Sequence, residues 1–424
     1  MTIEARTASW FCKGLVAAAL AGTILAALIH DLDLLRGTES PTPAHPLMIY
    51  EQYRIGGSTF SGVDFAEIYL SANALRHGDS AYHPRDPAYA DPQGRPRNYP
   101  PLMYWLYVPL SLVPFKAALY LHTIGYLLFF FGASGSLLWQ TGLRRHLGWV
   151  WAAQAGLFFL TPIGATELER GQFDLLVAGM YTLCFACSVL DRRLFSLAAV
   201  VGVAGALKWT SAPFLGCFSA LGFLLASGRR RWAFFSIPVV MLAGTLPFWR
   251  NLQEYWVGLR HFDVDAEPYG LTLRHVLPPV PTKAAPAIVT LLVAALAWFG
   301  ARSPEARSKR LVEVGAPFAL ALACVSTCVP TLSYEYHSVS LLGLIPAVVV
   351  WIETASGVAI RVKAATAALF GVFLVIAHRI QNLLVNLLPS AIAAAYITFA
   401  SLFLAVCVYI LRARGPGVES APRD

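Results

Sequence analysis

Apolar runs long enough to cross a membrane recur along the whole of this chain. Its 424 residues are 57% hydrophobic and only 13% charged. A helix needs about 20 apolar residues to span the hydrocarbon core of a bilayer, and most of the runs here are about 17 to 24 residues long. This pattern excludes an ordinary soluble domain and predicts an all-α polytopic membrane protein, forming a single integral membrane domain over residues 1–424.

We expect about twelve membrane-spanning helices, and the basic residues predict their orientation. Clusters of Arg and Lys occur at every second connection, as the positive-inside rule requires of cytoplasmic loops. Both termini are therefore predicted to be cytoplasmic, and the net charge of +8 reflects topology rather than a nucleic-acid partner. The predicted spans are 14–30, 117–140, 147–163, 173–190, 194–207, 211–226, 232–249, 284–300, 311–330, 339–353, 364–385 and 390–411.

Two segments near the amino terminus allow other interpretations. Residues 14–30 resemble a signal peptide, but no soluble domain follows them, so we interpret them as a retained anchor. Residues 101–115 are apolar yet short and contain three prolines, which favours a re-entrant or interfacial helix. Counting 101–115 as a full span gives the alternative of thirteen spans with the amino terminus outside.

Most acidic residues lie in the predicted outer connections, above all in two large loops at about 31–116 and 250–283. A transporter would be expected to carry charged groups near the middle of the membrane and related halves, and the sequence has no internal repeat. The seven cysteines lie in or beside apolar segments, so we expect neither disulfides nor a cysteine metal site.

Four motifs on the predicted outer side resemble a known enzyme family. They are the stretch 64–82 leading to Tyr99-Pro100-Pro101-Leu102, the segment Gly171-Gln172-Phe173-Asp174, the segment 202–213 around Lys208, and Tyr334-Glu335-Tyr336-His337. In this order they resemble the GT-C glycosyltransferase superfamily, and within it the polyprenol-phosphate-mannose-dependent α-mannosyltransferases of glycosyltransferase family 87. Asp174 stands where that family usually has Asn.

The resemblance implies a GT-C fold with a large first extracytoplasmic loop, and it suggests roles for several residues. A carboxylate must take the proton of the acceptor hydroxyl, and Asp64 matches the family's first-loop aspartate. Glu67 follows one helical turn later and is the alternative base. The leaving lipid phosphate needs cations or hydrogen-bond donors, for which the candidates are Lys208, Arg170 and His337. Further substrate-binding candidates are Tyr69, Tyr99, Gln172, Asp174, Trp256 and Tyr269.

The spacing His261-x-Asp263-x-Asp265 would suit a divalent ion in an extended loop. The family resemblance implies no metal and no cofactor, because the sugar arrives already activated on polyprenyl monophosphate. The sequence therefore predicts an inverting glycosyltransferase that moves mannose from polyprenyl phosphate to a lipid-linked or cell-envelope glycan. We expect it in the bacterial inner membrane with a periplasmic active site. A polyprenyl-phosphate pentose or glucose enzyme, or a lipid or glycan transporter, remains the alternative.

Overall fold

The structure, a computed structural model, describes most of the chain. The described residues are 54–55, 58–59, 62–91, 97–159, 164, 167–168, 170–260, 279–301, 303–328, 335–377 and 389–413. The predicted first span at 14–30, the candidate Tyr269 and the His261, Asp263 and Asp265 cluster lie outside the described residues.

The described part is built of helices. In chain order these are α1 (Val63–Arg76), α2 (Pro101–Tyr107), α3 (Phe115–Gln140), α4 (Leu147–Phe159), α5 (Asp174–Val189), α6 (Leu194–Leu207), α7 (Ala212–Leu225), α8 (Gly228–Thr245), α9 (Trp249–Arg260), α10 (Pro279–Phe299), α11 (Pro304–Cys328), α12 (Leu344–Thr354), α13 (Ile360–Val375) and α14 (Pro389–Arg412).

Short elements join these helices. Two strands, β1 (Arg54–Ile55) and β2 (Ser58–Thr59), pair antiparallel. The 3₁₀ turns are Pro87–Tyr89, Pro109–Leu112, Arg144–His146, Trp209–Ser211, Leu246–Phe248 and Glu335–Gly343. The predicted all-helical character is thus confirmed for the described residues, apart from this one small ladder.

Helices α3 to α8 and α10 to α14 coincide with the apolar runs that were predicted to span the membrane. By length and composition, five described helices can cross a bilayer, and a sixth span results if α6 and α7 count as one. Others are too short: α4 has 13 residues and α5 has 16, which is about 20 to 24 Å of helix against about 30 Å of hydrocarbon. The membrane-helix class is confirmed, while the number of twelve spans and the large first loop stay predictions.

Helix α5 lies at the centre of the bundle. Every residue from Asp174 to Ser188 is buried, and the helix contacts α3, α6, α11, α12 and the turn 335–343. A helix that is apolar on all sides is covered either by lipid or by other helices, and here other helices cover it. The amino terminus of α5 therefore places Asp174 inside the protein.

Helices α6 and α7 form a bent pair with Lys208 at the bend. Their axes meet at 117° across a short break. Helix α6 begins just after Arg192 and Arg193, and α7 ends just before the basic run 229–231. The two ends of the pair that lie away from the bend are therefore both beside arginines. Pro213 in the first turn of α7 favours a new helix start there. Lys208 consequently lies at the end of the pair that is remote from these arginines.

The basic residues make their own contacts at that other end. Arg230 pairs with Asp191 at 2.6 Å, and Arg145 pairs with Glu353 at 3.1 Å. Asp191 follows the carboxyl end of α5, whereas Asp174 begins it. The contacts of Arg145 and Arg230 thus lie at one end of the bundle, and Asp174 and Lys208 lie at the opposite end.

The segment 101–115 folds as two short pieces. Helix α2 has seven residues, and the turn Pro109–Leu112 has four. Helix α1 packs against both, and two of its side chains hold the backbone after α2. Tyr69 donates its hydroxyl hydrogen to the carbonyl of Val113 at 2.8 Å, and Arg76 donates to the carbonyl of Ser111 at 2.7 Å.

Candidate functional site

Asp64 lies in the first turn of α1, where the helix dipole favours a negative charge. The N-cap residue of α1, Gly62, has φ of +90°, a left-handed conformation that suits glycine. The Asp64 side chain points into the protein and is only 4% exposed. A buried carboxylate is costly unless neighbouring groups donate hydrogen bonds or positive charge to it.

A second glycine lets the turn at 170–173 approach α1. Gly171 has φ of +66°, and a Cβ atom built on it would lie 2.7 Å from Cβ of Phe65 and 3.5 Å from Cα of Gly62. No side chain fits in that space. Glycine at this position therefore brings the residues on either side of it next to Asp64.

Those two residues, Arg170 and Gln172, both bind Asp64. Arg170 donates from Nε to Oδ2 at 2.5 Å and from Nη2 to Oδ1 at 3.3 Å. Gln172 donates from its side-chain amide to Oδ2 of the same carboxylate. The fork of the guanidinium fixes the plane of the carboxylate as well as its position.

The same glutamine connects Asp64 to a second charged group. Its Oε1 accepts a hydrogen bond from Nζ of Lys208 at 3.4 Å. Lys208 lies 3.7 Å from Oδ2 of Asp174, and Nδ1 of His337 lies 2.9 Å from the same oxygen. All of these side chains are buried or nearly so.

Six of the predicted site residues thus form one continuous chain of contacts, which we call the polar network. In order, its members are Arg170, Asp64, Gln172, Lys208, Asp174 and His337. They come from five parts of the fold: α1, the turn before α5, the first residue of α5, the bend between α6 and α7, and the turn 335–343.

Glu67 makes a different set of contacts. Its Oε1 accepts hydrogen bonds from the Tyr104 hydroxyl at 2.7 Å and from the backbone N–H of Asn98 at 2.9 Å. Arg97 donates to the backbone carbonyl of Glu67 at 2.8 Å. The carboxylate is 2% exposed and ties α1 to the chain leading into α2.

The aromatic candidates lie at different distances from the polar network. The ring of Tyr99 is 5.9 Å from Nζ of Lys208, within the range of a cation–π contact. Trp256, on α9, is 47% exposed, and its ring is 5.6 Å from that of Trp209, the residue after Lys208. Tyr69 is bonded to the Val113 carbonyl, away from the charged groups.

Glu167, to which the sequence analysis gave no role, holds the turn that carries three network residues. Its Oε1 accepts the N–H groups of Asp174 at 2.7 Å and Leu175 at 3.3 Å, so it caps the amino terminus of α5. Its backbone carbonyl accepts from the N–H of Gln172 at 3.0 Å. Burial, and then the nearby Asp174 charge, raise the pKa of the Glu167 carboxyl well above its usual range.

His122 was also missed. Its Nε2 lies 3.3 Å from the carbonyl of Gln172, and its Nδ1 lies 2.7 Å from the Tyr107 hydroxyl. It packs among the rings of Phe65 and Phe173. The one sequence signal for it is a histidine within an apolar run, and that signal does not reveal its partner 50 residues away.

Among the described residues, no group of three or more His, Cys, Asp or Glu side chains is arranged to hold a metal ion.

The comparisons with known proteins agree with the motifs. A model of glycosyltransferase family 87 matches residues 98–270. No curated protein and no solved structure matches the chain. The matched stretch contains Arg170, Gln172, Asp174 and Lys208, while Asp64 and His337 lie outside it and join these residues only in the fold. Residues 98–270 are therefore similar to glycosyltransferase family 87, the family that the motifs resemble.

Proposed function

We propose that the protein transfers a sugar, most simply mannose, from a polyprenyl phosphate to a hydroxyl of a lipid-linked or cell-envelope glycan, with inversion at the anomeric carbon. The polar network is the observation that carries this proposal. It places one carboxylate, Asp64, in contact with the chain of cationic and amide groups that a transferase of this kind needs.

Asp64 acts as the general base. The acceptor oxygen attacks the anomeric carbon while its proton passes to the Asp64 carboxylate, and the bond from that carbon to the phosphate oxygen breaks. The leaving polyprenyl phosphate gains negative charge, which fixed donors stabilise. Glu67 is the alternative base, and its Oε1 already accepts hydrogen bonds from Tyr104 and Asn98.

Lys208, Arg170 and His337 are the proposed phosphate partners. The two contacts of Lys208 within the polar network are long, 3.4 and 3.7 Å, so a phosphate oxygen can compete for its ammonium group. Gln172 couples the base to Lys208, and Tyr99, Trp256, Tyr69, Asp174 and Tyr269 stay candidates for binding the substrates. Because Lys208 and Arg170 can supply positive charge to the leaving phosphate, we propose that the reaction needs no cofactor, and we expect it to proceed in the presence of EDTA.

We place this chemistry at the periplasmic face of a bacterial inner membrane. Lys208 and Asp174 lie at the end of the bundle opposite the arginine contacts, and clustered arginines mark the cytoplasmic side of membrane proteins. A donor with a membrane-embedded polyprenyl chain would then present its phosphate at the level of these helix ends.

The test is an activity assay on the purified full chain in lipid nanodiscs. Polyprenyl phosphates carrying mannose, glucose or a pentose are each incubated with envelope lipids, with and without EDTA, and products are followed by mass spectrometry. We expect a glycosylated lipid or glycan with release of polyprenyl phosphate, and mannose as the best donor. No product with any donor would overturn the proposal, and a better pentose or glucose donor would change its sugar.

A further inference from the structure

A narrow cavity lies beside the polar network, between α5, the bend after α6, the end of α11 and the turn 335–343. Asp174 and His337 form part of its wall. The rest of the wall is rich in hydroxyl groups, among them those of Tyr181, Ser211, Ser326 and Ser340.

This cavity is too small for a sugar ring, but it can hold a short substituent of a ring, which we call the arm. Its volume of about 20 Å³ is room for one water-sized group. Asp174, Val177 and Tyr181 line it from one face of α5, at spacings of three and four residues. A sugar ring does not fit such a space, but a short substituent of a ring does.

The wall offers hydrogen bonds to an uncharged group. Asp174 is already paired with Lys208 and His337, so the negative charge in the wall already has partners. The hydroxyls of Ser211 and Ser340 donate to the carbonyls of Lys208 at 2.6 Å and of His337 at 2.7 Å, which orients their oxygens and keeps them available as acceptors.

Ser326 also contributes a buried hydroxyl to the wall. It is 4% exposed, and its hydroxyl interacts with the hydroxyl of Tyr181. A hydroxyl both donates and accepts and can rotate, so this pair can bond to a third hydroxyl group bound in the cavity.

We propose that this cavity receives the exocyclic hydroxymethyl group of a hexose donor, and that it makes the protein a hexosyltransferase rather than a pentosyltransferase. This inference rests on the proposed function and adds to it the part of the sugar that is recognised. Hexopyranoses carry one such arm, a carbon bearing a hydroxyl, and pentopyranoses lack it. The arm combines a water-sized width with one donor and one acceptor.

Three polyprenyl phosphates test the cavity, because they share the ring hydroxyls of mannose and differ only in the arm. They carry mannose, 6-deoxymannose, which lacks the terminal hydroxyl, and lyxopyranose, which lacks the whole hydroxymethyl group. We expect kcat/KM for mannose to exceed that for each analogue by at least about tenfold, since a site built to bond a hydroxyl rejects its absence.

Two substitutions of Ser326 then link the preference to the cavity. Ser326→Val fills it and should lower kcat/KM for mannose about tenfold or more while leaving lyxose unchanged, and Ser326→Ala should reduce the preference for mannose over 6-deoxymannose. Ser219→Val is the matched control, because Ser219 is also a buried serine but does not line the cavity.

Product with equal kcat/KM for mannose and lyxose, or a Ser326→Val variant with the wild-type preference, would overturn the inference and leave the proposed function standing. In that case the cavity holds only a water molecule. Failure of the wild-type protein to use any of the three donors would instead count against the proposed function itself.

Discussion

At the scale of single residues, the site depends on Glu167 as much as on the groups that would meet substrate. Its carboxylate caps α5 through Oε1, while Oε2 is buried with no hydrogen-bond partner in the described part of the chain. Asp174 adds a second negative charge close by. A glutamate in this position is more stable with a proton bound, which is why its pKa is raised.

Glu167 should therefore make the stability of the protein depend on pH. Because its folded-state pKa is raised above the ordinary value of 4.5, its stabilising contribution is complete below that pH and is lost as the pH rises through the raised pKa. Glu167→Gln keeps the oxygen that caps α5 but cannot titrate. Between about pH 5 and pH 8 we expect the Tm of this variant in detergent to fall less than that of the wild type.

Two further variants complete that measurement. Glu167→Ala removes the cap and should lower the free energy of unfolding by about 1 kcal/mol at every pH, which a lower Tm would show. Glu305→Gln, which replaces an exposed carboxylate in the first turn of α11, should leave the pH dependence as it is in the wild type. Parallel Tm curves for the wild type and Glu167→Gln would contradict the interpretation of Glu167.

At the scale of elements, the site exists because the turn before α5 packs directly on α1. Gly171 allows this contact for two reasons. It adopts a positive φ, and it has no side chain that would clash with Phe65. The contact sets the distance from Asp64 to both Arg170 and Gln172. A small outward shift of the turn would separate the base from the rest of the polar network.

A comparison of Gly171→Ala with Gly142→Ala should separate the cost of a side chain at positive φ from the cost of the clash with Phe65. Both glycines have positive φ, of +66° and +74°, but only Gly171 would bring a Cβ into contact, since nothing lies within 4 Å at Gly142. We expect each variant to lose about 1 kcal/mol from backbone strain and Gly171→Ala to lose more, together with most of the activity. Equal activity in the two variants, measured with the preferred donor, would show that the close approach is unimportant.

The helices could largely be predicted from the sequence, whereas their contacts could not. Apolar runs mark a membrane helix because every residue that faces lipid or core must be apolar, and the bounds of α3, predicted as 117–140, came within two residues of Phe115–Gln140. The pairing of Asp64 with Arg170 joins residues 106 positions apart, and no local pattern encodes it. Helical spacing placed Asp64 and Glu67 on a common face, but the structure gives them different partners because α2 and the 170–173 turn approach α1 from different directions.

At the scale of the whole molecule, charge is divided between the two ends of the helix bundle. The arginine contacts with Asp191 and Glu353 lie at one end, and the polar network lies at the other. The donor lipid diffuses only within the membrane. The position of the polar network relative to the membrane surface therefore determines from which side the sugar is delivered.

Labelling of introduced cysteines should show this division. His83→Cys replaces an exposed residue in the loop after α1, and Arg192→Cys replaces an exposed residue between α5 and α6. In intact spheroplasts we expect a membrane-impermeant maleimide to label the first variant and to label the second only after the membrane is opened. The wild-type protein gives the background, which should be low because its described free cysteines are buried. Labelling of both variants from the same side would contradict the proposed orientation.

The account as a whole depends on Asp64 as the base within the polar network. The most direct measurement compares the single-turnover rate of the wild type with those of Asp64→Asn, Glu67→Gln and Asp191→Asn in nanodiscs with the preferred donor. Asp191 serves as the control because it also pairs with an arginine, at 2.6 Å, but at the opposite end of the bundle. We predict that Asp64→Asn slows transfer by about 10² to 10⁴-fold with donor binding intact, while Asp191→Asn stays near the wild-type rate. An Asp64→Asn variant within tenfold of the wild type, or one that outperforms Glu67→Gln, would contradict the account.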